Sequence, residues 1–264
     1  MQPRKRAVVA VGLAAAAALA LTGLALAGRT SMPVHTGAKI TILAPKPGQV
    51  ITGNTVHTKL SISHFKLSCA LAGTAPKMGV GHYHVLLDGA LVNMFCGRRA
   101  SISLANVASG THTLEFVAAE NNHMEDMHTA KKVSFVYQPT QPQVIGPRQF
   151  PGAPSISIVS PKRGATVSGG FDLVVAVKNF KLSCRLYGKP DVAGYGHWHA
   201  FVDTTMGAPM GMGTMLRMSC AHRFHVSLQG IKPGKHKFFA ELEDNAHAPS
   251  IKGHTTAIVT VNVK

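Results

Sequence analysis

Acidic residues are scarce: Asp and Glu together number 11 against 27 Lys and Arg, a formal charge of +16. No two carboxylates are placed as a pair for glycoside chemistry. Nucleophile machinery is missing too, because no Gly-x-Ser-x-Gly elbow occurs and the serines are scattered in Ser-x-Ser strand positions. No glycine-rich loop opens a helix to cradle phosphate; Gly79-Val80-Gly81 precedes a strand and reads as a turn. Aromatic residues are only 6% of the chain and are not interleaved with Lys and Arg, so stacking platforms for nucleic acid are lacking. Cysteine is limited to Cys69, Cys96, Cys184 and Cys220, and none lies near the N-terminus to take a lipid. These absences argue against an enzyme and against a nucleic-acid partner.

What is present begins with a cationic run, Arg4-Lys5-Arg6, followed by an uncharged run from Ala7 to Gly28 rich in Ala, Leu and Val. This is the pattern of an export signal, and Ala25-Leu26-Ala27 supplies a small-x-small site, so residues 1–27 are expected to be cleaved off. At about 20 residues, the run 7–28 is also long enough to stay as a membrane anchor. The expected location is secreted or cell-envelope. Losing Arg4, Lys5 and Arg6 from +16 leaves +13, a surface attracted to an anionic cell-wall polymer or membrane face. Two cysteines per half in an exported chain predict disulfides Cys69–Cys96 and Cys184–Cys220. Each closes a loop of about 30 residues, worth roughly 3–4 kcal/mol in the chain-entropy account.

The chain is an internal duplication. Gly81-His82-Tyr83-His84 returns as Gly196-His197-Trp198-His199, displaced by 115 residues, and Phe65-Lys66-Leu67-Ser68-Cys69 returns unchanged as Phe180-Lys181-Leu182-Ser183-Cys184. Past this strand the displacement becomes 124: Cys96 matches Cys220, and Gly110-Thr111-His112 matches Gly234-Lys235-His236. The extra residues fall between Asp203 and Cys220, where Met206, Met210, Met212 and Met215 stand among glycines in what reads as a loop. Short apolar alternations with Gly and Pro turns, and no helical period, predict an antiparallel sandwich of roughly seven strands in each half. The domains are expected at 39–138 and 155–264, joined by a proline-rich spacer at 139–154.

The order of a Pro-x-x-Gly turn, an alternating strand, and a Gly-x-His strand ending in an acidic residue resembles bacterial immunoglobulin-like domains. The narrower set of Gly-His-x-His, Gly-x-His and acidic-x-x-His is similar to small exported bacterial domains of unknown function. The resemblance covers 39–138 and 155–264. It implies an all-β fold of two tandem immunoglobulin-like sandwiches after the N-terminal segment, and it implies no activity.

Function therefore rests on the matched histidines. A His-x-His pair on a strand points both imidazoles to one face. In an immunoglobulin-like sheet the start of the third strand lies beside the end of the sixth. That places His123 near His82 and His84, and His247 near His197 and His199. Three imidazoles with an open fourth position suit zinc or copper. Met94 and Met218, each two residues before the second cysteine of its half, are accessory candidates as Cu(I)-favouring thioethers. Glu120 and Asp244 stand at the same strand end, and Asp88 and Asp203 on the ligand-bearing face, as candidates to orient an imidazole. His112 and His236 start the sixth strand and read as structural. Either face of the third strand could be the core: Tyr83, Val85 and Leu87 share one, while Leu86 and Phe201 share the histidine side.

The expected function is a monomeric, exported, non-catalytic protein that captures copper or zinc, one ion per domain. The alternative is a wall- or surface-binding module whose histidines are structural. A copper-dependent redox enzyme is a weaker third reading. A copper-zinc superoxide dismutase carries a comparable His-x-His strand, but the bridging histidine and the dense acidic and histidine loop are missing here.

Overall fold

The computed structural model describes residues 34–205, 213–249 and 253–264. The expected signal or anchor, and Met206, Met210 and Met212 of the methionine loop, lie outside the described residues. Pro33–Lys264 form one compact unit.

The first copy holds nine strands. β1 (Lys39–Ala44), β3 (Thr55–Ser63) and β7 (Arg99–Ser103) form one sheet in the order β1-β3-β7. The facing sheet runs β2 (Gln49–Ile51), β9 (Glu125–Tyr137), β8 (Gly110–Glu120), β5 (Val80–Leu87), β4 (Lys66–Leu67), with β6 (Ala90–Phe95) also paired to β5. The second copy repeats this with β10 (Ser155–Ser160), β12 (Gly170–Lys178) and β16 (Arg223–Ser227) against β11 (Thr166–Val167), β18 (Thr256–Val263), β17 (Gly234–Glu243), β14 (Tyr195–Val202) and β13 (Lys181–Leu182), with β15 (Met215–Ser219) on β14. First-second-fifth strands facing seventh-sixth-third is the immunoglobulin arrangement. The chain is thus two tandem immunoglobulin-like sandwiches. The count exceeds the expected seven strands because short segments such as β2 and β4 add parallel edges.

Alternation decides which residues fill the cores. In β3, Val56, Leu60 and Ile62 are buried while their neighbours are exposed, as one solvated sheet face requires. Tyr83 and Trp198 are fully buried between their sheets. Their polar tips are satisfied at matched positions, Tyr83 Oη donating to the Gly97 carbonyl at 2.8 Å and Trp198 Nε1 to the Ala221 carbonyl at 2.8 Å. The sandwich interior is therefore the Tyr83/Trp198 face, and the histidines lie on the reverse side of the same strands.

That reverse side is covered by the other copy. Leu91, Met94, Tyr187, Phe201, Met215 and Met218 belong to one apolar cluster that joins the two sandwiches. Both disulfides, Cys69–Cys96 and Cys184–Cys220, are formed. The spacer carries no strand but is tied to the first copy, Asn106 N donating to the Gln143 carbonyl and Asn54 Nδ2 to the Gln141 carbonyl. Farther along it meets the second copy, where Arg148 N donates to the Ala193 carbonyl.

Candidate metal centre

Each triad is assembled by strand register. Gly81 of β5 pairs with Glu120 of β8, so the turn after β8 returns over the start of β5. In the second copy His197 pairs with Glu243, which places the turn after β17 over the start of β14. Glycine is required before the first histidine: a Cβ on Gly81 would collide with the Ala119 carbonyl and the Phe65 ring, and one on Gly196 with the Glu243 carbonyl and the Phe180 ring. The Phe-Lys-Leu-Ser-Cys segment straps each of these glycines, Ser68 N donating to Gly81 O and Ser183 N to Gly196 O at 2.7 Å. The third histidine of each triad sits in its turn with positive φ, +65° at His123 and +66° at His247, a region uncommon for residues other than glycine, although His, like Asn and Asp, enters it more often than most. Such strain recurs at ligand-holding positions.

In the first triad three nitrogens meet. His82 Nε2 lies 3.1 Å from His84 Nε2 and 3.0 Å from His123 Nδ1, and the last two are 3.4 Å apart. The outer nitrogens fix the protons. His84 Nδ1 is 2.6 Å from Glu125 Oε1, and His123 Nε2 donates to the Met215 carbonyl at 2.7 Å. The inner nitrogens of His84 and His123 are therefore lone pairs. His82 can offer one proton between them; a cation satisfies all three at once. Nitrogens 2.0–2.1 Å from a tetrahedral zinc ion lie about 3.3 Å apart, close to the spacing found. His82 Nδ1 is buried without a partner among the described residues.

The second triad repeats the motif with a looser carboxylate. His197 Nε2 lies 2.9 Å from His199 Nε2 and 3.0 Å from His247 Nδ1, with 3.5 Å closing the triangle. His247 Nε2 donates to the Leu91 carbonyl at 2.8 Å. His199 Nδ1 stands 3.7 Å from Glu243 Oε1, beyond hydrogen-bond reach, and Glu243 Oε2 and His197 Nδ1 have no described partner. Tyr187 replaces the matched Ala72 and packs edge-on to His197, ring centroids 4.4 Å apart.

Burial sets the electrostatics. All six rings are buried or nearly so, and desolvation, followed by the neighbouring imidazoles, drives His82, His197 and His199 well below the ordinary histidine value. Desolvation also takes His123 down to about 3 and lowers His247. Neutral imidazoles are the ligand form. Glu243 is pushed up to about 9, by burial first and by Glu241 and Asp244 next. Beside the second triad lies a cavity of about 720 Å³ lined by Leu91, Lys189, His199, Glu241, Glu243 and His247.

The structure thus brings together His82, His84 and His123, and His197, His199 and His247, each set with ligand atoms within 4.8 Å of one another. The acidic accessory candidates fall elsewhere. Asp88 and Asp203 do not reach the triads. They occupy left-handed turns at the far strand end, where Asp88 Oδ2 holds His112 Nδ1 at 2.6 Å and Asp203 Oδ2 holds His236 Nδ1 at 2.8 Å. The same two imidazoles reach the Ala108 and Lys232 carbonyls through Nε2. Asp244 caps its own turn by accepting from Ala246 N and Ala248 N, and Glu120 contributes only backbone bonds to the turn that carries His123. Met94 and Met218 stand cross-strand from His84 and His199, buried in the cluster between the copies.

The carboxylates that sequence reasoning missed are Glu125 and Glu243. They occupy different positions in the two copies, one after the third histidine and one before it, so repeat matching passes over both. A third group, His35, Asp126 and His128, also lies within 4.8 Å. Its carboxylate is already engaged by Thr36 N and Oγ and by His128 N, and it ties the residues before β1 to β9.

No family model matches the chain, and no curated protein matches it. Among solved structures it is similar to the fibronectin(III)-like modules of Clostridium thermocellum CbhA, at 13% identity over 85% of this chain and 94% of that one, with a TM-score of 0.27. It is also similar to the D00-D0 domain of intimin, at 11% identity over 85% and 98%, TM-score 0.24. CopC from Methylosinus trichosporium OB3b aligns at 12% identity over 39% of this chain and 96% of that one, TM-score 0.24.

Proposed function

We propose that this chain is an exported metal-binding protein that holds one copper or zinc ion in each histidine triad, without catalysing a reaction. The observation that carries the reading is the proton placement in the first triad. Glu125 and the Met215 carbonyl claim the outer protons of His84 and His123, leaving converging lone pairs in a buried space where only a cation, or a single shared proton, can satisfy them. A carboxylate behind a histidine also raises its basicity as a ligand. Three neutral imidazoles suit Zn(II) and copper alike, and a turn of Met94 or Met218 toward its cross-strand histidine would favour Cu(I). Export is supported by the cationic and apolar N-terminal run and by two disulfides, which persist in oxidising compartments. Among the described residues, no helix is long and apolar enough to cross a membrane.

The test is a titration of the chain lacking residues 1–27 with Zn(II) or Cu(II). Two equivalents bound per chain are expected, falling to none in the double variant His82→Ala, His197→Ala. A native chain that binds no metal, or a double variant that binds as wild type, overturns the reading.

A further inference from the structure

We infer that neither triad belongs to one sandwich alone: each copy lends the other the backbone carbonyl that orients its third imidazole, so both metal sites are composite and exist only while the copies are docked. The inference rests on reading the triads as metal sites.

His123 of the first copy donates from Nε2 to the carbonyl of Met215, at the start of β15 in the second. His247 of the second copy donates from Nε2 to the carbonyl of Leu91, in β6 of the first. His123 and His247 differ by 124 residues, and so do Leu91 and Met215. The two bonds are therefore one contact made twice in opposite directions, as in an isologous dimer interface. The chain has the interface of a two-fold dimer built from its own halves.

Within its own copy the third histidine has little else to hold it. Among the described residues, the His123 ring can bond only His82 Nε2 and the Met215 carbonyl, with the His84 Nε2 lone pair 3.4 Å from its Nδ1, on a turn in left-handed conformation. Without the opposite strand, either ring nitrogen could carry the proton and the ring could turn away. With it, Nε2 must donate and Nδ1 must face the metal position. A carbonyl that fixes tautomer and orientation is the usual partner behind a ligating histidine. The unusual feature is that it comes from another domain.

A second, independent pair of matched residues makes the approach possible. Gly73 and Gly188, 115 residues apart, occupy equivalent places at the contact. A Cβ on Gly73 would lie 2.7 Å from the Thr214 carbonyl and 2.9 Å from that of Met215, and one on Gly188 would lie 2.5 Å from the Leu91 carbonyl. Each glycine thus presses against the strand whose carbonyl holds its own copy's third histidine. Gly73 N donates to the Asn121 carbonyl and Gly188 N to the Asn245 carbonyl, which links each glycine to the turn bearing that histidine. Both glycines also have positive φ, +77° at Gly73 and +65° at Gly188, so the turn and the close approach each favour glycine there.

The test uses the whole chain with one triad disabled. In a His197→Ala background only the first triad remains, with all its ligands in the first copy. Gly188→Ala is then added in the second copy to wedge the docked face apart. Gly164→Ala, also at positive φ but with open space around its Cβ, serves as the control for backbone strain alone. Zinc affinity is read by competition with a chromophoric chelator. Gly188→Ala is expected to weaken binding about 10- to 100-fold, the usual cost of losing an outer-shell partner, and Gly164→Ala to leave it within two-fold.

A second measurement needs no wedge and covers the case in which Gly188→Ala fails to fold. In a His82→Ala background, where the ligands lie only in the second copy, zinc is expected to slow amide hydrogen exchange in β6 of the first copy around Leu91. Unchanged affinity with the wedge, or protection confined to the second copy, overturns the composite-site inference while leaving metal binding intact. A wild-type chain that binds no zinc overturns the metal reading itself.

Discussion

At the scale of single residues, the two carboxylates make different predictions. Glu125 accepts directly from His84 Nδ1 at 2.6 Å, so Glu125→Gln keeps the shape but removes the charge that makes His84 a strong donor to metal. Zinc affinity of the first triad, measured with His197→Ala present, should fall about 10- to 100-fold while the fold is unchanged. Glu243 behaves otherwise. With its pKa raised to about 9 it is protonated at pH 7, and an ion bound beside it favours the carboxylate. In a His82→Ala background, metal uptake at pH 7 in weak buffer should release close to one proton, and Glu243→Gln should release almost none. The buried imidazoles lose no proton on binding because they are already neutral. The six histidines were legible in the sequence because duplication singles out eight, and the third-to-sixth-strand neighbourhood separates these six from His112 and His236 at the opposite strand end. The carboxylates were not. Asp244 and Glu120 occupy corresponding positions, yet neither reaches an imidazole, since whether a side chain touches a ring one strand away depends on turn geometry that spacing does not encode.

At the scale of strands, the Gly-His-x-His pattern is a packing constraint as well as a ligand motif. Gly81 lies under the Phe65 ring and against the Ala119 carbonyl, where β5 crosses the end of β8. Gly81→Ala should destabilise the chain by about 1–3 kcal/mol, the usual cost of forcing a methyl group into a filled site. The urea midpoint should fall by the corresponding amount, and a shift below about 0.5 kcal/mol would show that the strand end is loose. Strand order and the core face follow from alternation, turns and the third-to-sixth-strand neighbourhood, all of which are local in sequence. Tyr83 and Trp198 resolve the ambiguity of β5 and β14: each is fully enclosed and finds a carbonyl for its polar tip, so the opposite face is left to the histidines. Val80 and Gly81, read as part of a turn, already belong to the strand: Val80 pairs with Lys66, and Gly81 with Leu67 and Glu120.

At the scale of the whole molecule, Leu86 and Phe201 on the histidine side were an early sign that this face is covered, but nothing in spacing says by what. The cover is the other copy, and it buries the imidazoles. His82, His123, His197, His199 and His247 all have pKa values lowered by burial, His123 to about 3, against about 6.5 in the unfolded chain. Below pH 6.5 the unfolded chain takes up protons that the fold refuses, so this part of the stability is complete above about pH 6.5 and is lost as pH falls toward 3. Each such imidazole contributes a slope of up to about 1.4 kcal/mol per pH unit in that window, and five together make the metal-free protein acid-labile. Bound metal occupies the same lone pairs in the folded state only, so it should move acid unfolding to lower pH. Because burial holds His82, His123, His197, His199 and His247 below the ordinary histidine value, metal should not leak out gradually near pH 6.5; release and loss of near-UV circular dichroism should coincide in a single transition. Zinc released in a separate step near pH 6.5, with the dichroism intact, would mean that the ligands are ordinary exposed histidines and that the enclosed triads hold no ion.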